Sequence, residues 1–153
     1  MQTERRSALK KLAASFIALT GLSLTGRANT QEKNEKKAFN VVTHQDIPLF
    51  SGSTKYGGLV FIAGKGAHFK GDIKAHTDHV LKELEKELIA AGSSMEKVLK
   101  VNVYLNDIND YKAMNEVYKG RFGKNPPVRT TVAVAKGGVP GDSLVEIDCI
   151  AGL

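Results

Sequence analysis

Two charged side chains, Arg129 and Glu146, lie in segments whose apolar residues otherwise alternate. Residues 128–135 (VRTTVAVA) and 144–151 (LVEIDCIA) follow the period of two that is typical of a half-buried strand. The loop 136–142 between them contains Gly and Pro and predicts that the two strands form a hairpin. An arginine can bind a carboxylate through two hydrogen bonds, and a partly buried glutamate can act as a general base on water. Together these groups would suit hydrolysis of a small substrate that carries a carboxylate.

A second interpretation gives Arg129 and Glu146 no catalytic role. A charge inside a strand needs a partner, and the two residues could form an internal ion pair across the predicted hairpin. Spacing alone favours this ion pair, although the sequence does not fix the strand register and leaves their mutual geometry open. Asn115 presents a similar choice, because it is a polar residue on the apolar face of a predicted helix. It is either a capping or core amide, or an amide that faces a ligand.

The length and charge of the chain indicate one domain with no electrostatic preference for nucleic acid. The chain has 153 residues and a formal net charge of +6. Residues 1–28 carry +4 of this charge, which leaves +2 for the remainder. A near-balanced domain gives little reason to expect a polyanionic partner. The single cysteine, Cys149, lies on an apolar strand face and is interpreted as a small buried hydrophobic residue.

The N-terminal 28 residues have the features of a cleavable export signal. The pair Arg5-Arg6, followed by Lys10, resembles the twin-arginine signal. The apolar stretch that follows, residues 12–24, is too short to span a bilayer comfortably. We therefore predict a signal peptide over residues 1–28, a polar linker over 29–38 and a folded domain over 39–153. The mature protein would be periplasmic or otherwise exported, with no stable membrane anchor after cleavage. If the leader does not function, for example as an amphipathic helix that stays attached, the protein would be cytoplasmic.

The remaining elements follow from apolar periodicity and turn residues. The sequence predicts strands at 39–43, 59–63 and 97–105, helices at 72–91 and 107–122, and a turn cluster at 51–58. Residues 45–53 are predicted as a loop that could include a short extended piece. The order strand, strand, helix, strand, helix, strand, strand favours an α+β two-layer fold, with a mixed sheet and two helices on one face. The other face of the sheet must be covered, which predicts oligomerisation through it.

No sequence pattern supports another class of catalysis. The chain has no nucleophile elbow, and Gly64-Lys65-Gly66 has neither the dinucleotide nor the Walker spacing. His76 and His79 are three residues apart on a predicted helix and could share a ligand. No further His/Cys cluster supports a metal site there, so we interpret both as surface histidines. We predict neither a metal nor a cofactor.

The residues around Arg129 and Glu146 resemble a known family. Residues 127–134 (PVRTTVAV), followed by 144–147 (LVEI), look like the C-terminal motif of the Rid superfamily, the reactive intermediate imine deaminases, also called the YjgF family. The resemblance extends from about residue 40 to the C-terminus. It includes the segments at 62–64 (IAG), 90–92 (AAG) and 103–107 (VYLND), together with Tyr111 and Asn115.

The resemblance implies a chorismate-mutase-like fold that assembles as a homotrimer, with ligand sites between subunits. It also implies hydrolysis of 2-imino acids, such as 2-iminopropanoate and 2-iminobutanoate, to 2-oxo acids and ammonia without a cofactor. Carried over residue by residue, Arg129 would bind the substrate carboxylate and Glu146 would position or activate the attacking water. The backbone near Thr131 and Gly64 would contact the substrate, and Asn115 would lie in or beside the site.

Three positions depart from the deaminase subgroup, which commonly has tyrosine, serine and cysteine where this chain has Phe50, Ala63 and Thr131. The changes at Phe50 and Ala63 each remove a hydroxyl from the inferred site, and the loop 136–142 is longer than usual. Two other functions stay open. One is a non-catalytic binding or interaction protein for small carboxylates on the same trimeric scaffold. The other is a ribonuclease or translation inhibitor, against which the low domain charge and the leader argue.

Overall fold

The computed structural model describes residues 35–153. The predicted leader and residues 29–34 of the predicted linker lie outside this part of the chain. The described elements are β1 (Lys37–His44), β2 (Ile47–Tyr56), β3 (Leu59–Lys65), α1 (Ile73–Ala90), β4 (Val98–Leu105), α2 (Tyr111–Tyr118), β5 (Val128–Ala133) and β6 (Val145–Gly152). Short 3-10 turns occur at Met95–Lys97, Ile108–Asp110 and Pro140–Asp142. Neither α-helix of the described chain is long and apolar enough to cross a membrane.

The strands form one mixed sheet in the order β1-β2-β3-β6-β4-β5. Only β4 and β5 pair in parallel, and the other neighbours are antiparallel. The predicted hairpin between residues 128–135 and 144–151 is therefore wrong, because β4 lies between β5 and β6 and bonds to both. Alternation reports which face of a strand is buried, but it does not report which strand lies beside it. The loop after β5 carries the chain across the end of β4.

Both helices pack on one face of the sheet, as predicted. The Asp72 side chain caps α1 by accepting a hydrogen bond of 2.8 Å from the Ala75 N–H, which confirms the predicted helix start. Helix α2 is shorter than predicted, because residues 108–110 form a 3-10 turn and residues after 118 leave the helix. The core between the layers is apolar and includes Val60, Val80, Leu81, Leu84, Leu88, Val101, Val103, Leu105, Met114, Val145 and Ile147.

Strand β2 corrects the prediction of a loop at 45–53 and a turn cluster at 51–58. Residues Ser51 to Lys55 are mostly polar, yet they form part of a strand. The side chain of Ser53 faces inward, where it is buried and hydrogen-bonded. A polar residue can occupy such a position when its hydroxyl finds a partner. The turn itself is confined to Gly57 and Gly58, both of which have a positive φ that favours glycine.

The partner of Ser53 is Glu87, a carboxylate that ties three strands to α1. Glu87 accepts hydrogen bonds from Asn40 Nδ2 (2.8 Å), Ser53 Oγ (3.0 Å) and Lys65 Nζ (3.1 Å). Burial alone would raise the pKa of Glu87, but the hydrogen bonds from Asn40 and Lys65 and the Lys65 charge lower it below the ordinary value of 4.5. The ionised carboxylate therefore stabilises the fold, and it does so at the junction of β1, β2 and β3.

We expect Glu87→Gln to lower the free energy of unfolding at pH 7 by about 1 kcal/mol, because the amide loses the charge that pairs with Lys65. The folded-state pKa of Glu87 is lowered, so its contribution is complete above the unfolded-state pKa and is lost as the pH falls through the folded-state pKa. The difference between wild type and variant should thus shrink as the pH falls below the ordinary glutamate pKa of 4.5. Urea titrations at several pH values measure it.

Glu83→Gln is the matched control, because Glu83 pairs with Lys86 on the exposed side of the same helix. Its effect should stay below about 0.5 kcal/mol. A Glu87→Gln effect no larger than that of Glu83→Gln would contradict the anchoring role.

Candidate active site

Arg129 lies on the helix-facing side of β5, where two residues of α2 hold its guanidinium. Its Nη1 donates to Asn115 Oδ1 at 2.8 Å and its Nη2 donates to the Tyr111 hydroxyl at 3.2 Å. The guanidinium also lies 4.6 Å from the centre of the Tyr118 ring. The structure therefore brings Arg129 and Asn115 together. Sequence reasoning gave no site role to the two tyrosines, although the spacing 111, 115, 118 places all three residues on one helix face.

The charge of Arg129 has no acidic partner among residues 35–153. Its hydrogen-bond acceptors are an amide and a phenol, and no ion pair of the described chain includes it. Burial raises the pKa of Tyr118 to about 12, although the Arg129 charge lowers it, so this phenol also stays neutral. A guanidinium has five N–H donors, so several remain for a ligand. The arrangement orients a cation without neutralising it.

Glu146 lies on the opposite face of the sheet. It occupies β6 directly opposite Tyr104 of β4, while the preceding and following residues of β6 are buried against the helices. The carboxylate packs against Gly64, where an added Cβ would lie 2.7 Å from Cδ of Glu146. Glu146 also lines a cavity of about 280 Å³ with Tyr104, Val134, Gly138, Val139 and Pro140.

Strand register explains why Arg129 and Glu146 are separated. Arg129 pairs with Val101 on β4, and Glu146 pairs with Tyr104. Val101 and Tyr104 point to opposite faces of the sheet, since Val101 is fully buried in the core and the residues of a strand alternate. The ion-pair interpretation is therefore wrong. Within one chain the two charges do not meet.

The other predicted site residues divide between these two places. Gly64 and Ala63 lie at an irregularity of β3, where Ile62 pairs with Cys149 and Lys65 pairs with Ile147, so β3 has one extra residue. This bulge gives the Glu146 carboxylate its space. Phe50 is on β2, with β3 between it and the strand of Glu146, and its side chain is 53% exposed.

Thr131 follows Arg129 on the helix-facing side of β5, opposite Val103. Its Oγ1 is buried, and no partner for it occurs among the described residues. Strand β5 is an edge strand, and the Val134 N–H bonds inward to the Leu105 carbonyl at 2.9 Å. Because ladder bonds alternate along a strand, the Thr131 N–H points to the open edge. It is thus free to meet a ligand.

The interpretation of His76 as a surface histidine is wrong. His76 is 2% exposed, donates from Nε2 to the Phe69 carbonyl at 2.9 Å and accepts the Leu144 N–H on Nδ1 at 3.1 Å. It joins two loops to α1.

Nowhere in residues 35–153 do three His, Cys, Asp or Glu side chains form a group that could hold a metal ion. Burial raises the pKa of Cys149 to about 12, which makes the thiol unreactive at neutral pH.

A family model described as endoribonuclease L-PSP matches residues 44–153. The chain belongs to this family, which is also known as YjgF, RutC or Rid. A RutC family protein of Pyrococcus horikoshii is 44% identical over 112 residues, which are 69% of this chain and 87% of that protein. A chloroplastic protein of Arabidopsis thaliana named reactive intermediate deaminase A is 32% identical over 111 residues, 68% of this chain and 58% of that protein.

Solved structures confirm the predicted fold class. A YjgF/YER057c/UK114 family member from Mycobacterium tuberculosis matches with a TM-score of 0.67 and 29% identity, covering 78% of this chain and 100% of that one. The mixed sheet with two helices is thus the chorismate-mutase-like fold of the Rid family. Both parts of the C-terminal motif, residues 127–134 and 144–147, lie within the matched region.

Gly64→Ala should displace the Glu146 carboxylate and leave the backbone of β3 in place. The added methyl would meet the end of a flexible side chain, so Cδ of Glu146 must retreat from 2.7 Å to an ordinary contact of 3.4 Å or more. Crystal structures of the variant and of wild type measure the shift. Gly152→Ala is the control, since no atom lies within 4 Å of its added Cβ. A shifted β3 with Glu146 unmoved would contradict the packing role.

Proposed function

We propose that the protein hydrolyses small 2-imino acids to 2-oxo acids and ammonia. The observation that carries the proposal is the half-buried Arg129, whose charge is oriented by neutral partners and has no acidic partner in the described chain. Such a group is suited to a substrate carboxylate. Membership in the Rid family, and a relative named reactive intermediate deaminase A, support the choice of imino acids over other carboxylates.

The chemistry needs one anchor and one base. Arg129 holds the carboxylate of R–C(=NH)–COO⁻, and Glu146 accepts a proton from a water molecule as the water oxygen bonds to C2. The electrons of the C=N bond move to nitrogen, which takes up the proton that Glu146 removed from the water. The hydroxyl of the resulting carbinolamine then loses its proton to Glu146, which returns it to nitrogen, so ammonia leaves as the C–N bond breaks and the C=O bond forms. One water is consumed for each imino acid, and the carboxylate stays bound to Arg129 throughout.

A single chain does not place Arg129 and Glu146 together, so a complete site needs two copies. We propose that one copy supplies Arg129, Asn115 and the Thr131 N–H, and its neighbour supplies Glu146 and Gly64. The sheet face that carries Glu146 also exposes large apolar side chains, including Phe61, Val128 and Val132. Exposed apolar surface of this kind favours burial against another subunit. A closed ring of three copies, as predicted for this family, would bury that face and form three equivalent sites.

Arg129→Ala should lower kcat/KM for ammonia release by about 100-fold, because the substrate carboxylate loses its bidentate partner. An amino acid oxidase that forms the imine in situ provides the substrate, and initial rates of ammonia release measure the effect. Arg121→Ala is the matched control, since Arg121 lies outside the site. Its Nη1 pairs with Asp78 Oδ1 at a distance of 2.8 Å. Activity that survives Arg129→Ala and falls with Arg121→Ala would refute the assignment.

Mixing two inactive variants tests whether the site is shared between copies. Co-expressed Arg129→Ala and Glu146→Gln chains should recover roughly one quarter of wild-type activity. Each site would draw Arg129 from one copy and Glu146 from the neighbour, and each residue is intact in half of the copies. The separately purified variants, mixed after assembly, serve as the control and should stay inactive. No recovery in co-expressed oligomers of confirmed mixed composition would show that the two residues do not share a site across copies.

Phe50 and Ala63 favour one alternative, a protein that binds small carboxylates without catalysis. Both positions lack the hydroxyl that the deaminase subgroup commonly has, while Arg129 is retained. Calorimetry with a 2-oxo acid distinguishes the two functions. Binding that depends on Arg129, in a protein that never accelerates imine hydrolysis, would favour the binding protein.

We further propose that the protein is exported, on the basis of the Arg5-Arg6 pair and the apolar stretch after it. Replacement of both arginines by lysine keeps the charge and should retain the precursor in the cytoplasm. Cell fractionation with an antibody to the folded domain measures the distribution. Unaltered export of the double variant would contradict the assignment of a twin-arginine signal.

A further inference from the structure

The cavity beside Glu146 contains a second polar side chain that has no assigned role. Its walls are otherwise apolar or glycine, from Val134, Gly138, Val139 and Pro140, and the only side chains in the lining that can hydrogen-bond are those of Glu146 and Tyr104. Tyr104 lies directly opposite Glu146 in the β4–β6 ladder. Directly opposed residues of an antiparallel pair have Cβ atoms roughly 5 Å apart, so the two side chains flank one small space.

Tyr104 is in turn next to an oriented carboxylate. Asp148 is two residues from Glu146 on the same face of β6, and it accepts a hydrogen bond of 2.8 Å from Asn102 Nδ2. Diagonal neighbours in a ladder are within reach of a long side chain such as tyrosine. Burial, followed by the nearby charges of Asp148 and Glu146, raises the pKa of Tyr104. The phenol therefore keeps its proton at neutral pH, and its hydroxyl can donate a hydrogen bond to Asp148.

We propose that Tyr104 is a positioning residue for imine hydrolysis, whose hydroxyl oxygen holds the water molecule that Glu146 deprotonates. The inference rests on the proposed function and assigns a residue that the function itself does not require. Asn102 donates a hydrogen bond to Asp148. In the proposed arrangement Asp148 accepts a hydrogen bond from the Tyr104 hydroxyl, and the Tyr104 oxygen accepts a hydrogen bond from one O–H of the water. The other O–H of the water points to Glu146. A lone pair on the water oxygen then faces away from both groups, toward C2 of the imine.

The loop that lines the cavity is held by hydrogen bonds from two backbone N–H groups and by one buried side chain. The Gly137 N–H donates to Asn106 Oδ1 at 2.9 Å, and the Gly138 N–H donates to the Ala135 carbonyl at 2.7 Å. Val139 is 4% exposed and anchors the middle of the loop in the protein. The apolar residues of this wall lower the local dielectric on one side of the cavity, which strengthens the hydrogen bonds made there.

Tyr104→Phe removes only the hydroxyl, and its kinetics test the proposal. We expect kcat for ammonia release to fall about tenfold while KM stays within about twofold, because Arg129 still binds the carboxylate. Tyr104→Leu removes the ring as well and should be no more active than Tyr104→Phe. Asp148→Asn should lower kcat in wild type and have a smaller effect in the Tyr104→Phe background, because it acts through the phenol. Wild type and Arg129→Ala are measured in the same assay.

The outcomes separate the inference from the function on which it rests. An active wild type that loses activity with Arg129→Ala but not with Tyr104→Phe would uphold the proposed function and overturn the role of Tyr104. Wild-type rates for Tyr104→Phe, together with a loss in Tyr104→Leu, would assign Tyr104 to packing alone. A higher KM for Tyr104→Phe with kcat unchanged would also overturn the inference, because it would mean that Tyr104 binds the substrate rather than the water. An inactive wild type would overturn both.

Discussion

The hydrogen bonding of β4 to β5 on one side and to β6 on the other determines where every candidate functional side chain lies. This pairing aligns Arg129 and Cys149 with Val101, on the helix-facing side, and it aligns Glu146 with Tyr104, on the open side. A register shift of one residue would exchange the faces of a whole strand and expose its part of the core. The burial of Val101, Val103 and Leu105 therefore fixes the position of the charged residues as firmly as it fixes the core.

Each of the two charges is accommodated by a different local device. Arg129 is half-buried beside neutral aromatic and amide groups of α2, which orient a guanidinium at little electrostatic cost. Glu146 depends on an interruption in the neighbouring strand, where the extra residue of β3 and the missing side chain of Gly64 leave room for a carboxylate. A bulge and a glycine weaken a strand. A functional role for the Glu146 carboxylate would explain why β3 keeps a bulge and a glycine beside it despite this loss of stability.

The sequence predicted most of the helices and strands, although it missed β2, and it did not predict which strands lie side by side. The capped helix from Ile73 to Ala90 and the alternating strands followed from local periodicity, because periodicity is set by which face is buried. The place of β4 between β5 and β6 depends on tertiary pairing and has no local signal. The same limit applies to His76, whose burial depends on two loops far apart in sequence, and to Ser53, which is buried because Glu87 accepts a hydrogen bond from its hydroxyl. The opposed faces of Arg129 and Glu146 became visible only with the register.

The candidate site of this chain differs from that of the deaminase subgroup in which positions carry a hydroxyl group. In the deaminase subgroup that this chain resembles, hydroxyls are common at the positions of Phe50 and Ala63, and both are absent here. The hydroxyl-bearing side chain that shares a cavity with Glu146 in this chain is Tyr104, which lies on a different strand of the same subunit. A water held by Tyr104 and Glu146 would be oriented before any neighbour docks, whereas the carboxylate anchor Arg129 would arrive with the neighbouring copy. Assembly would then add substrate binding to the water site that we propose within each chain.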